Sequence, residues 1–388
     1  MIDQPRILFL FSDTGGGHRS ATEAIIEAVE HGFPGRFHAE MIDVLADYAP
    51  RPLNRLPQAY PQMVRSPRAW SWGFHALDGH RRARALTAAA WPYVRGAARR
   101  LVLERQADLV VCTHPLLNAP VLRALGPRRP PFITVVTDLV TAHALWYHHR
   151  ADLCLVPTEA ARDRAIAFGM LPEQIRVVGL PVSRRFCQPP GDPARLRADL
   201  GWPSDLPMVL LVGGGEGMGP IFKIARAIAA CGQRCGLAVV AGRNARLRSR
   251  LEDQMWEVPT FVYGFERRMP QMMQAADLLV TKAGPSTIAE AMNASLPMIL
   301  FGRLPGQEDG NVQFVVENGL GVWSPGVQTT AAAVVDWLSH PEERKRAAAA
   351  CRRTARPDAA DAVASVLSTY LSRLPPFPTA HSLTRARL

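Results

Sequence analysis

The chain has 388 residues, 48% hydrophobic and 20% charged, which is enough apolar material for two ordinary domains and a composition far from that of a disordered chain. Its formal net charge is +11, and no apolar run reaches the roughly 18–20 residues of a transmembrane helix. The six cysteines are scattered, with no second Cys/His pair to complete a zinc site, so they read as buried free thiols and no metal is expected.

Met1–Arg6 lacks a basic signal-peptide region, so a soluble or peripheral intracellular protein is expected. Arg6–Ser12 is a continuous apolar run, the mark of a strand buried on both faces. A glycine turn, Asp13 to His18, follows, and Ser20–Glu30 has helical periodicity. His18 would stand at a helix N-terminus, where the positive dipole end keeps an imidazole neutral. Taken alone, the turn reads equally as structure or as the seat of a catalytic base. Arg36–Val44 predicts the next strand.

Eleven arginines stand between Arg51 and Arg105, opposed only by Asp78 and Glu104 and interleaved with Tyr60, Trp70, Trp72, Phe74, Trp91 and Tyr93. Such a stretch suits an anionic membrane surface or a nucleic acid, or is simply a solvated face. Prolines at positions 50, 52, 57, 61 and 67 predict an irregular segment rather than one clean helix. Strands recur at Asp108–Thr113, Phe132–Thr137, Leu153–Pro157 and Ile175–Val178, with a helix over Thr158–Phe168. His114, Asp138 and His143 follow strand ends, where they either shape an acceptor pocket or serve as caps; the spacing of His143, His148 and His149 does not suit a metal.

The proline-rich interval up to Leu206 reads as an interdomain connection, after which the alternation resumes. Met208–Val212 runs into a glycine loop holding Gly215 and Glu216, with a helix from about Pro220. Strands follow at Leu237–Ala241, Phe261–Tyr263, Leu278–Thr281, Met298–Phe301 and Gly321–Trp323, with helices near Thr329–Ser339 and Asp358–Leu371. Gly284 suits a helix N-cap and Pro285 the first helical position, which leaves the N–H groups and hydroxyls of Ser286 and Thr287 as an anion site. Lys282 precedes the glycine, so this is no Walker A loop. Glu290, one turn on, is placed to accept from a ribose diol, or is an ordinary polar-face glutamate. The polar loop from Pro305 to Asn311 brings Gln307 and Glu308 to the same sheet edge. This pattern predicts an α/β protein of two Rossmann-like doubly wound domains facing across a cleft. The expected division is residues 1–186, a linker at 187–206, a second domain at 207–357, a helix at 358–372 that can cross back to the first domain, and a frayed tail at 373–388.

Ser12 through Ala21, Val136-Thr137-Asp138 with Trp146-Tyr147-His148, Tyr263-Gly264-Phe265, Lys282 through Ala291 and Pro305 through Asn311 together resemble the signatures of the monogalactosyldiacylglycerol synthase and processive diacylglycerol glycosyltransferase family. The resemblance runs in order from about residue 6 to 325; its C-terminal part is also similar to the related peptidoglycan N-acetylglucosaminyltransferase. The stretch His143-Ala144-Leu145-Trp146 departs from the family's usual His-Pro-Thr-Trp. The resemblance implies a GT-B fold and an inverting transfer of a hexose from a UDP-sugar to a membrane lipid such as diacylglycerol. It implies that UDP-sugar is a substrate and no cofactor is needed. His18 would be the general base, Gly215, Glu216, Ser286 and Thr287 would neighbour the diphosphate, and Phe265 and Met269 the uracil, with Gly264 and Gly284 also among the donor-binding residues. Glu290 would meet the ribose, and Gln307 and Glu308 the sugar hydroxyls, while Gly16, Gly17, His114, Asp138, His143 and Trp146 lie on the acceptor side. A cytoplasmic enzyme, peripheral on the inner face of the cell membrane through residues 51–105, is the accompanying expectation, with no nucleic acid as partner. A UDP-sugar epimerase of the same shape and a lipid-linked N-acetylglucosaminyltransferase are the competing readings.

Overall fold

A computed structural model describes residues 4–64, 66–189 and 191–373. Nearly all of the expected tail, 374–388, lies outside the described residues. In the N-terminal half, β1 (Arg6–Phe11), β2 (His38–Asp43), β3 (Leu109–Cys112), β4 (Phe132–Val135), β5 (Leu153–Val156) and β6 (Ile175–Val177) form one sheet in the order β2-β1-β3-β4-β5-β6. In the C-terminal half, β7 (Met208–Val212), β8 (Gly236–Val240), β9 (Thr260–Tyr263), β10 (Leu278–Lys282), β11 (Met298–Gly302) and β12 (Gly321–Trp323) form a second, in the order β12-β11-β10-β7-β8-β9. Every pairing is parallel. The apolar runs explain this: Ile7–Phe11 and Met208–Val212 are buried throughout, as strands covered by helices on both faces must be.

Each sheet reverses its winding beside its first strand, between β1 and β3 and between β7 and β10. At such a switch point the loops leaving neighbouring strands diverge, and a crevice opens at the strands' carboxyl ends. The loops that carry His18, His114, Gly213–Gly219 and Gly284–Ser286 leave these four strands.

The basic segment is not the irregular stretch that its prolines predict. Helices span Leu56–Met63, Pro67–Leu77 and His80–Glu104. Pro57 and Pro67 occupy the opening positions of the first two, where the missing N–H has no partner to lose. Pro92 lies inside the third, which is held down by the buried Ala83, Ala98 and Leu101. Within 187–206, Asp192 caps the helix Pro193–Leu200 by accepting from the Ala194 N–H, and Leu200 and Trp202 join the second half's core. Arg197 fastens this stretch to Asp277 at 2.6 Å and to the carbonyls of Ala275 and Leu206. The last described helix, Ala359–Arg373, returns to the N-terminal half, where Val363, Ala364 and Leu367 are buried against Ile25, Val29 and β1.

Candidate active site

The turn after β1 places Gly15 and Gly16 at φ of +89° and +79°, and the helix Gly17–Gly32 starts at once. His18 is therefore fixed in the first turn of a helix aimed into the cleft. Its Nδ1 lies 2.8 Å from Thr137 Oγ1, and its ring is enclosed by His114 (centroids 4.6 Å apart, edge-on) and Trp146 (5.8 Å). This enclosure lowers its pKa to about 4; a hydrogen bond to the Thr113 carbonyl and the charge of Asp13 oppose the shift without overcoming it. His114 Nδ1 accepts from the Leu116 N–H, which leaves Nε2 to donate to Thr14 Oγ1, 2.9 Å away. Burial, then the neighbouring His18, holds His114 well below the usual imidazole range. Asp138 is buried and accepts from the Trp146 indole (2.6 Å) and from the Gln307 amide across the cleft (3.0 Å). Burial raises its pKa against those hydrogen bonds. His143 Nδ1 accepts from the Leu145 N–H, and its ring packs edge-on against Phe74 at 5.0 Å.

On the facing half, Gly284 is the N-cap and Pro285 the first residue of the helix Pro285–Asn293. This helix end meets the base loop: a Cβ added to Gly17 would stand 3.0 Å from Ser286 Oγ. Lys282 turns back to pair with Glu308, whose other oxygen accepts from the Leu304 N–H at 2.7 Å. Glu308 is thus only 2% exposed and braces the loop from within. The Gly310 N–H donates to Thr141 Oγ1 at 2.8 Å, a second tie across the cleft. Glu290 is half-buried with no hydrogen bond to its carboxylate among the described residues, and burial pushes its pKa up to about 8.

A second group lies along the same edge. Gly217, at φ of +58°, leaves no room for a side chain, since a Cβ would come within 2.2 Å of the Ala241 carbonyl. That contact fixes the loop holding Gly215 and Glu216. Arg243 pairs with Glu216 (2.8 Å), donates its N–H to the Gly215 carbonyl and lays its guanidinium over Phe265 at 4.7 Å. Phe265 is 58% exposed, whereas Met269 packs on the core and Gly264 lies beside Arg248. The structure therefore brings His18, Gly17, His114, Asp138, Trp146, Gln307 and Ser286 to one junction, and gathers Gly215, Glu216 and Phe265 around Arg243. Arg243 escapes sequence reasoning, whereas Thr137 enters it only inside a motif and Tyr60 only among the aromatics of the basic segment; a basic residue just after the buried strand β8 and Gly242 is the signal that points to Arg243.

The histidines carry a pH prediction. His18 and His148 are both held at about 4, against 6.5 for the unperturbed group. Protons bind these two imidazoles first in the unfolded chain, so their contribution to stability is full above pH 6.5 and falls as pH drops from 6.5 toward 4, against the opposite contribution of Glu290, whose raised value favours the folded state as pH falls below 8. The slope is up to about 1.4 kcal/mol per pH unit for each such group. Denaturant midpoints compared between the wild-type chain and His148→Gln should show the variant losing less stability from pH 6.5 to pH 5; parallel profiles contradict the placement.

Two parallel six-stranded sheets, with His18 on one lip of the cleft between them and the helix end at Gly284–Ser286 on the other, give the chain the GT-B fold of nucleotide-sugar glycosyltransferases. Solved structures agree in fold: a UDP co-structure of MnaA from S. aureus (TM-score 0.64, 13% identity, 97% of this chain and 99% of that chain) and MurG from Acinetobacter baumannii (TM-score 0.59, 15% identity, 94% and 99%). Residues 18–182 match the family model for monogalactosyldiacylglycerol (MGDG) synthase, and residues 208–363 match the glycosyltransferase family 28 C-terminal domain. A probable monogalactosyldiacylglycerol synthase 2 of Oryza sativa subsp. japonica is 38% identical over 370 residues, 91% of this chain and 78% of its own length. Monogalactosyldiacylglycerol synthase 3 of Arabidopsis thaliana is 38% identical over 389 residues, 96% and 83%. The chain belongs to the monogalactosyldiacylglycerol synthase family. These relatives are chloroplastic by name, which overturns the expectation of a cytoplasmic enzyme on the inner face of a cell membrane. No described helix is long and apolar enough to cross a membrane.

Proposed function

We propose that the protein transfers a hexose, galactose in the first instance, from a UDP-sugar to the free hydroxyl of a diacylglycerol-type lipid, with inversion at the anomeric carbon. The observation that carries this reading is the contact between the two helix ends: the base loop reaches Ser286 while His18 is held neutral beside it. In one displacement the lipid hydroxyl oxygen bonds to the anomeric carbon as the bond to the UDP oxygen breaks. His18 takes the hydroxyl proton, and the N–H groups at Ser286 and Thr287 stabilise the negative charge of the departing UDP. The names of the relatives and the UDP in a neighbouring fold support the lipid product and the donor.

Helix Pro67–Leu77 and Pro305 border an open groove of about 640 Å³, in which Arg68 and Trp72 stand at the rim; Trp72 is 77% exposed. We place the lipid's approach there, with the arginine-rich helices lying on an anionic surface. The test is mass spectrometry of lipids formed from UDP-galactose or UDP-glucose with diacylglycerol vesicles. A hexosyl-diacylglycerol is expected. A changed sugar in the donor-only control, with no lipid product, would instead indicate an epimerase.

A further inference from the structure

Tyr60 belongs to the helix Leu56–Met63 in the basic segment, yet its side chain lies in the cleft. Its ring covers Gly15: a Cβ added there would be 2.9 Å from Cε1 and 3.3 Å from both Cζ and the hydroxyl oxygen. Gly15 is thus bare because this ring occupies the space above it. Trp70 meets the ring edge-on at 5.7 Å and fixes its tilt. Burial, followed by the charges of Glu308 and Asp138, pushes the phenol well above the ordinary tyrosine range, so it stays protonated and remains a donor. Tyr60 therefore stands among the base loop, the acceptor-side aspartate and the donor-side loop at once.

The carboxylates near it are already engaged. Asp138 accepts from Gln307 and Trp146, and Glu308 from Lys282 and the Leu304 N–H. The Tyr60 hydroxyl has no hydrogen bond among the described residues. Tyr60 is half-buried and its free hydroxyl keeps a path to solvent, so a ligand oxygen entering the cleft can take up this donor in place of water. On the reading proposed above, the transferred hexose passes between the base loop and the donor-side loop that carries Gln307 and Glu308, and Tyr60 faces both.

We propose that Tyr60 is a specificity-determining residue whose phenol donates to a hydroxyl of the transferred hexose while its ring closes over Gly15. This rests on the hexosyl-transfer reading and adds to it a contact from the helical segment at 51–77, so that segment selects the sugar as well as meeting the lipid. A site that hydrogen-bonds one hydroxyl configuration discriminates strongly against its epimer, because the wrong sugar leaves the donor unpaired.

The test compares the full-length protein with Tyr60→Phe, which keeps the ring and removes only the hydroxyl. Rates are measured with UDP-galactose and UDP-glucose on diacylglycerol vesicles, together with UDP binding and the melting temperature. The expected result is a fall of about 10- to 100-fold in kcat/KM for the preferred sugar and a galactose-to-glucose ratio compressed by about the same factor. UDP affinity, the KM for lipid and melting should stay unchanged. An unaltered sugar ratio overturns the proposal, whether the rate is retained or falls alongside a raised KM for lipid, which would assign Tyr60 to the acceptor. A wild-type protein that transfers neither hexose fails the underlying reading instead.

Discussion

His18→Ala is expected to reduce hexosyl transfer by about 10²- to 10⁴-fold while leaving UDP affinity within about twofold, because general-base catalysis contributes on that scale and the residues proposed to hold the nucleotide lie on the other half. The separation of the two readouts follows from the geometry. His18 touches Thr137, His114 and Trp146, all in the N-terminal half, whereas Ser286, Thr287 and Glu290 stand across the cleft. The pH profile offers an independent check. Enclosure holds the imidazole at about 4, so it is already unprotonated at pH 6. The kcat/KM for lipid at saturating donor should therefore be level from about pH 6 upward and decline only as pH approaches 4. A variant that transfers at a rate within about tenfold of the wild-type protein would remove His18 from the mechanism.

Lys282→Ala is expected to destabilise the protein by about 3–5 kcal/mol, since it leaves the Glu308 carboxylate without its counter-charge in a nearly dry site. The side chains are only 16% and 3% exposed, so water cannot replace the lost partner. Chemical denaturation reads the loss directly. Replacing both residues, Lys282→Met with Glu308→Gln, should recover most of it, as neutral groups carry no such desolvation penalty. Donor binding should weaken in the single variant as well, because Glu308 also holds the Leu304 N–H at the root of the loop that carries Gln307.

The alternation of strand and helix was legible because local rules dominate it. Buried runs such as Ile7–Phe11, glycines at strand ends, and Pro285 after Gly284 each determine their surroundings within a few residues. The helices between 56 and 104 were obscured by treating each proline as a breaker, when proline at a helix start is favourable. Ala245–Glu252 and Met269–Ala275 are about two turns long, too short for a period to stand out from the sequence. Within the site, residue types and loop positions could be read, but partners could not. Gln307 and Asp138 are 169 residues apart, and no local pattern announces that they meet. Lys282 was visible as a residue that spoils a Walker loop; its pairing with Glu308 depends on β10 and β11 lying side by side.

The return of helix Ala359–Arg373 to the N-terminal half has a consequence for biosynthesis. Its Val363 and Leu367 cover one face of β1, which is made about 350 residues earlier. At roughly 5–20 residues per second, some 350 residues of further synthesis take on the order of 20–70 s. Through that interval the C-terminal sheet, whose strands are contiguous in the chain, can complete itself while β1 still lacks its cover. The half that is made earlier is finished later, and its apolar face stays open until helix Ala359–Arg373 has been made.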